Sequence, residues 1–159
     1  MSFLSAFNTS VSGMTAQRQR VNTISENIAN AETTRTPQGG PYRRREVILA
    51  SVANDRTFEE ELLSQDRSVS TSTEVKVVGI VQDERPPILR FEPGHPDANE
   101  EGYVEMPNVN IMEEMVNLMS ANRSYEANTA AFNATKNMVQ SALDPVSYTH
   151  LTLPTKSSG

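Results

Sequence analysis

The 159-residue chain contains no cysteine, so disulfide frameworks, thiolate metal sites and cysteine nucleophiles are all excluded, and a reducing or an oxidising compartment is equally open to it. Basic residues are in the minority, 14 against 20 acidic, for a formal charge of −6. Neutralising a phosphate backbone needs a basic face, so nucleic acid is not the expected partner. Apolar residues make up 36%, below the ~45–50% of an ordinary globular domain. Much of the stability must then come from other chains. No apolar run approaches the ~20 residues of a membrane span. No Lys or Arg precedes Arg18, and the first apolar positions are separated by polar ones, so the start lacks the parts of a secretory signal. The chain is expected to be cytosolic or exported by a route that cleaves no signal.

What the sequence does have is order at its two ends. Leu4, Phe7, Val11, Met14, Val21, Ile24, Ile28 and Ala31 recur at spacings of three, four and seven, the apolar face of a helix. Ile111, Met115, Leu118, Asn122, Tyr125, Thr129, Phe132, Lys136, Val139 and Leu143 follow an unbroken four-three alternation, which places all of them on one helical stripe. The first helix is expected to run from residue 2 or 3 to Ala31, roughly 40 Å at the usual rise. It stops where Thr33, Thr34, Thr36 and Pro37, then Gly39, Gly40 and Pro41, replace helix formers. The second is announced by Pro107 and by Asn110 three residues before Glu113, a capping pair. It runs to Leu143, nearly 50 Å, where Asp144 and Pro145 end it.

Between the helices the pattern turns to strand. Val47, Ile48, Leu49 and Val52 predict one strand and residues 73–82 the best one, with Val75, Val77, Gly79 and Val81 on one face and Lys76, Val78, Ile80 and Gln82 on the other. Both faces carry apolar residues, so both are expected to be part buried. Residues 59–63 suggest a short helical turn and 64–72 a polar loop, while 88–91 and 102–106 offer two further strands in one small antiparallel sheet. The fold class is therefore α+β, mainly α: long N- and C-terminal helices pairing as a coiled coil with a small antiparallel β insert. The division expected is 1–34 and 108–143 as the two helices, 35–107 as the insert, and 144–159 as an irregular tail. Asparagines are frequent in both helices, and isolated helices are marginal even with better sequences. Joining them across ~80 residues adds a closure cost of roughly 4 kcal/mol. The pair is expected to be dynamic in the free subunit and set by assembly.

Several clusters invite chemistry and have plainer readings. Asp97, Asn99, Glu101 and Gly102 imitate the start of a calcium loop, but the twelfth position is Asn108 rather than a bidentate glutamate, so a solvated acidic turn is the better reading. Arg43, Arg44 and Arg45 either meet an acidic surface such as Glu59, Glu60 or Glu61 of a neighbour or sit solvated on a strand edge. His95 and His150 lie in irregular stretches without the company that catalysis requires. Glu113 and Glu114 fall in the first turn of a helix and favour its dipole. Asn122 on the apolar stripe either fixes register or is exposed by drift of the seam. Gly13 costs about 1 kcal/mol relative to alanine inside a helix, which favours a close approach of another backbone. No nucleophile, base and orienter can be assembled, so an enzyme is not expected and neither cofactor nor metal is implied.

The run Ser12-Gly13-Met14-Thr15-Ala16-Gln17, continuing through Asn22 and Ser25 to Asn27-Ile28-Ala29-Asn30-Ala31, resembles the N-terminal signature of bacterial flagellar rod and hook proteins. Glu92-Pro93-Gly94-His95-Pro96, the stretch from Gly102 to Asn110, Glu114-Met115-Val116-Asn117 and the stretch from Ala121 to Asn128 look like the C-terminal pattern of the proximal-rod type, as does Pro41-Tyr42-Arg43-Arg44. The resemblance to the flagellar basal-body rod family spans roughly residues 3–143. It implies a structural subunit of the basal body, exported unfolded through the flagellar type III apparatus and polymerised helically in the periplasm with itself and other rod subunits, with its terminal helices packed in a tubular wall. By position, the resemblance makes Ser12, Gly13, Met14, Asn27, Ala29 and Asn30 the N-terminal packing face, and Met115, Arg123, Tyr125 and Asn128 serve the C-terminal one. Together with the apolar stripes, the expected packing residues also include Leu4, Phe7, Val11, Val21, Ile28, Ile111, Leu118, Asn122, Phe132 and Val139. The sequence after Leu143 fits neither the heptad nor the family and reads as a foreign end. The alternatives are another rod or hook protein, which the small middle disfavours, and a type III secreted coiled-coil effector, which would bind a host or surface receptor instead of rod subunits.

Overall fold

Residues 3–53 and 73–143 are described by the structure, a computed structural model. The expected turn at 59–63, the loop at 64–72, His150 and the tail at 144–159 lie outside the described residues. Helix α1 spans Phe3–Ala29, two residues short of the expected end. The Asn30 side-chain amide donates to the Glu26 carbonyl at 2.8 Å, and Ala31 and Thr33 amides turn back to Ile28 and Asn30. Those bonds satisfy last-turn carbonyls that a further helical turn would otherwise need to serve. The chain then folds tightly: Gly39 and Gly40 have φ of 89° and 75°, a left-handed conformation that only glycine adopts without strain. The Tyr42 amide closes this loop on the Thr33 carbonyl at 3.0 Å.

Strand β1 (Arg45–Ala53) pairs antiparallel with β2 (Thr73–Gln82), Arg45 opposite Gln82 and Ala53 opposite Thr73. Ile48 faces Gly79 but Leu49 faces Val77, so Val78 is an extra residue on β2. This bulge shifts the register of the ladder by one residue. Val75, Val77 and Gly79 are half-buried while Lys76, Val78, Ile80 and Gln82 on the other face are exposed, as is Val81, where burial on both faces was expected. Helix α1 covers the start of the β2 edge, the Val75 amide donating to Ser12 Oγ and Thr9 Oγ1 to the Thr73 carbonyl, both at 3.2 Å.

Strands β3 (Ile88–Phe91) and β4 (Tyr103–Met106) form a second, separate hairpin, so the single sheet expected is in fact two. The first ladder ends with the Asp83 amide on the Arg44 carbonyl; Asp83 then binds Arg85, and Pro86 and Pro87 remove the amides that would continue it. The Arg85 guanidinium holds the Asp83 carboxyl down at about 2. In the turn between β3 and β4, Asp97 accepts from Thr34 Oγ1 at 2.8 Å and pairs with Arg35 at 3.0 Å. Asn99 Oδ1 accepts the amides of Glu101 and Tyr103. Those oxygens tie the turn to the loop after α1 and to its own backbone.

Helix α2 spans Ile111–Leu143 and is capped as expected, Asn110 Oδ1 accepting the Met112 and Glu113 amides at 3.1 and 3.4 Å. It runs antiparallel to α1, with Phe7 against Phe132 at one end and Asn27 against Glu114 at the other. The result is α+β, mainly α. Among the described residues, the buried apolar side chains are only Ala16, Ile24, Ala31, Tyr42, Val104 and Ala121. A core of this size agrees with the low apolar content.

Candidate functional site

The two helices meet along a face of small and polar residues. On α1 the buried positions are Ser10, Gly13, Ala16, Thr23, Ile24 and Asn27; on α2 they are Glu114 and Ala121. Seven residues separate Glu114 from Ala121, and seven more reach Asn128, whose amide lies over Gly13. A Cβ on Gly13 would sit 2.9 Å from Asn128 Nδ2. Glycine is therefore what leaves room for Asn128 here, a side chain and not the backbone that the sequence reading expected. Thr129 Oγ1 touches Met14 sulfur at 3.4 Å, and the Phe7 and Phe132 rings meet edge to face at 5.0 Å.

This face is rotated from the stripe that hydrophobic periodicity marked. Of that stripe, Leu118, Thr129, Phe132 and Val139 are half-buried, while Ile111, Met115, Asn122, Tyr125, Lys136 and Leu143 are exposed. Of the α1 positions, Phe7, Ser12, Met14, Val21, Ile28 and Asn30 are half-buried, and Leu4, Val11 and Ala29 are exposed. Arg123 is exposed as well, and Asn128 half-buried. The reason is steric. The notch at Gly13 takes the Asn128 side chain, whereas a row of methionine and tyrosine would hold the backbones apart.

At the far end lies a buried polar knot. Asn27, 1% exposed, makes four hydrogen bonds: its Nδ2 donates to the Arg45 carbonyl (2.8 Å) and to Glu114 Oε2 (3.0 Å), and its Oδ1 accepts from the Tyr42 hydroxyl and the Arg45 amide, both at 2.9 Å. That exhausts the capacity of an amide side chain. Glu114, also 1% exposed, takes Arg44 Nε and Nη2 on Oε1 at 2.9 and 2.8 Å. Arg44 reaches Glu46 as well, at 3.3 Å. One knot thus fastens the end of α1, the entry to β1 and the first turn of α2. A buried ion pair adds little net stability because desolvation offsets the attraction, but with every polar atom satisfied it admits one arrangement.

The sequence marked Asn27 as a packing residue; Glu114 and Arg44 it placed in the family pattern, but gave them no role beyond a helix dipole and a basic run. The one signal available was the row Glu114, Ala121, Asn128, which lies outside any apolar count. In the arginine run, only Arg44 is turned inward; Arg45 lies over the Tyr42 ring and 3.6 Å from Glu26, and Arg43 is exposed.

Burial pushes the Tyr42 hydroxyl above its ordinary pKa of 10.0, with Arg45 pulling the other way and Glu26 and Glu114 adding to the rise. A proton held more tightly when folded stabilises the fold below pH 10 and ceases to do so as pH rises through the folded value. The wild type is therefore expected to lose stability above pH 10 more steeply than Tyr42→Phe, which should itself be about 1 kcal/mol weaker at pH 8 through the lost bond to Asn27. Urea titrations of both proteins from pH 8 to 11 would measure this, and parallel alkaline limbs would refute it.

Comparison with known proteins places these features. The flagella basal body rod protein family model matches residues 7–35, and that of the flagellar basal body rod FlgEFG protein C-terminal region matches residues 100–144. The flagellar basal-body rod protein FlgC of Borreliella burgdorferi is 43% identical over 147 residues, covering 90% of this chain and 97% of that protein. The Bacillus subtilis protein of the same name is 44% identical over 91% and 98% of the two chains, and that of Salmonella typhimurium 37% over 90% and 97%. Both matched segments contain the helices that the knot and the Gly13 contact join, and on this ground the chain belongs to the flagellar basal-body rod protein family, with a structural and not an enzymatic role.

Proposed function

We propose that the chain is a subunit of the proximal rod, the drive shaft of the basal body, assembled helically in the periplasm with itself and other rod subunits through its two terminal helices. The observation that carries this reading is that relatives named as one rod protein align over 97–98% of their length, with no large insertion between the helices to make a bigger axial subunit. The packing residues of the rod are the helix-pair positions from Leu4 to Asn30 and from Ile111 to Val139, residues 35–107 elaborate outer contacts, and residues 144–159 take no part. Delivery is by the flagellar type III export apparatus without a cleaved signal. No described helix is long and apolar enough to cross a membrane. A buried surface this poor in large apolar groups also suits a chain that has to travel unfolded and complete its core among neighbours.

The test is complementation of a host that lacks its own proximal-rod gene, using residues 1–143. Restored swimming, with the subunit present in purified rods, is the expected result. A product that is exported but never incorporated would overturn the reading in favour of a secreted effector.

A further inference from the structure

Hairpin β3–β4 leaves one face and one edge open. Its register places Phe91 opposite Tyr103 and Leu89 opposite Glu105, so these four side chains share a face, while Val104, wholly buried, lies on the other. Leu89 is 62% exposed, Phe91 63% and Tyr103 40%. The Phe91 and Tyr103 rings meet edge to face at 5.3 Å, and Phe91 rests on Gly102, where a Cβ would come within 3.0 Å of the ring. An exposed ring held in this way loses little freedom when something covers it.

The open edge follows from Asn99. Its amide donates to the Tyr103 carbonyl at 2.9 Å and its Oδ1 accepts the Tyr103 amide at 2.8 Å, so the backbone groups of Tyr103 point away from β3. In an antiparallel ladder Phe91, opposite it, then turns its own amide and carbonyl away from β4, and Leu89, two residues earlier, does the same. The sheet has two strands, and among the described residues nothing meets those groups. A bare strand edge is a template for a further strand.

Charge and area select what fits there. Residues 88–106 contain Glu92, Asp97, Glu100, Glu101 and Glu105 against one base, Arg90. Arg90 pairs with Glu92 and Arg35 with Asp97, which leaves Glu100, Glu101 and Glu105 exposed and, among the described residues, without an ion pair. The apolar face of Leu89, Phe91 and Tyr103 is on the order of 300 Å², well short of the ~800 Å² per partner that two folded surfaces bury. A second copy of this chain, at −6, also brings the wrong charge.

We propose that the outer edge of β3 receives a short, extended, basic segment of a different protein. The segment adds as a third strand, lays apolar side chains beside Leu89 and Phe91, and places arginine or lysine in the field of Glu100, Glu101 and Glu105. Main-chain bonds to the edge supply the affinity, and the acidic surroundings decide which segments are accepted. The contact adds a partner to the rod-subunit reading and does not depend on it.

The probe is a short peptide alternating arginine and valine, titrated into the full, isotopically labelled chain beside versions with glutamine or glutamate for arginine and one with a fully N-methylated backbone. The arginine peptide is expected to shift the Leu89 and Phe91 amide resonances and to protect both amides from hydrogen exchange. It should bind about tenfold more tightly than the glutamine peptide and lose that margin at high salt, with the glutamate and N-methylated peptides weakest. Glu100→Gln with Glu101→Gln, in an exposed turn, should leave the circular dichroism unchanged and weaken the arginine peptide several-fold. No binding of the arginine peptide, shifts centred elsewhere, equal affinity for the glutamine peptide, or N-methylation without effect overturns the proposal. So does protection of the Leu89 and Phe91 amides that rises with protein concentration alone, since the edge would then pair with a second copy.

Discussion

Glu114→Ala should lower the free energy of unfolding by about 3–5 kcal/mol, since it strands the Arg44 guanidinium and one Asn27 donor in a buried site. Arg44 is 14% exposed at its side chain and Glu114 1%, so water reaches the guanidinium poorly and the carboxylate not at all. Against a total of about 5–15 kcal/mol for an ordinary domain, such a loss empties much of the folded population. The double change Glu114→Leu with Arg44→Met should be far milder than either single change, because no charge is left unpaired. Urea unfolding of the singles and the double closes the cycle that separates the pair's coupling from its desolvation. A cost below about 1 kcal/mol for Glu114→Ala would mean that Arg44 swings out to solvent, and the knot would then not hold the helices.

Leu118→Asp combined with Phe132→Asp is expected to abolish swimming. Both positions are half-buried, and Phe132 stands 5.0 Å from the Phe7 ring across the pair. A carboxylate at a half-buried position is partly desolvated, at a cost of about 1–3 kcal/mol, and the edge-to-face contact, worth about 1 kcal/mol, is lost with it. Soft-agar motility and counts of complete basal bodies measure the outcome, while export of the variant into the medium separates an assembly failure from a synthesis failure. Wild-type swimming would show that this seam does not carry the subunit's packing.

The helices were legible because periodicity and caps are local. Asn110 announced α2 from its own side chain, and glycines at 39 and 40 announced the turn that ends the first segment. The bulge at Val78 was not legible, because nothing in residues 73–82 says that β1 supplies one residue fewer opposite them. The single sheet expected became two because Pro86 and Pro87 remove the amides that would continue the first ladder. An apolar count passes over Glu114 and Asn128, the residues that meet Asn27 and Gly13 across the pair. Gly13 was marked as a contact because a glycine inside a helix has a definite cost and so points to a reason, but what fills its notch is the Asn128 side chain and not a backbone. Glu114 was not, because the helix dipole already gave a sufficient account of it. Its real partner, Arg44, is 70 positions away, and no local pattern encodes that.

The Asn27–Glu114 bond has a temporal side, because its partners are 87 residues apart in the chain. A polypeptide delivered from its N-terminus presents α1 first, but the groups that complete the far end of that helix come later: Tyr42 and the backbone of Arg45 soon after, Glu114 only near the end. Contacts of such separation form late, after the closure of the intervening loop. Until α2 has emerged, Asn27 is an amide still in water and Gly13 a notch with nothing in it. The subunit thus contains its own delay, holding the helix pair open until nearly the whole chain is present.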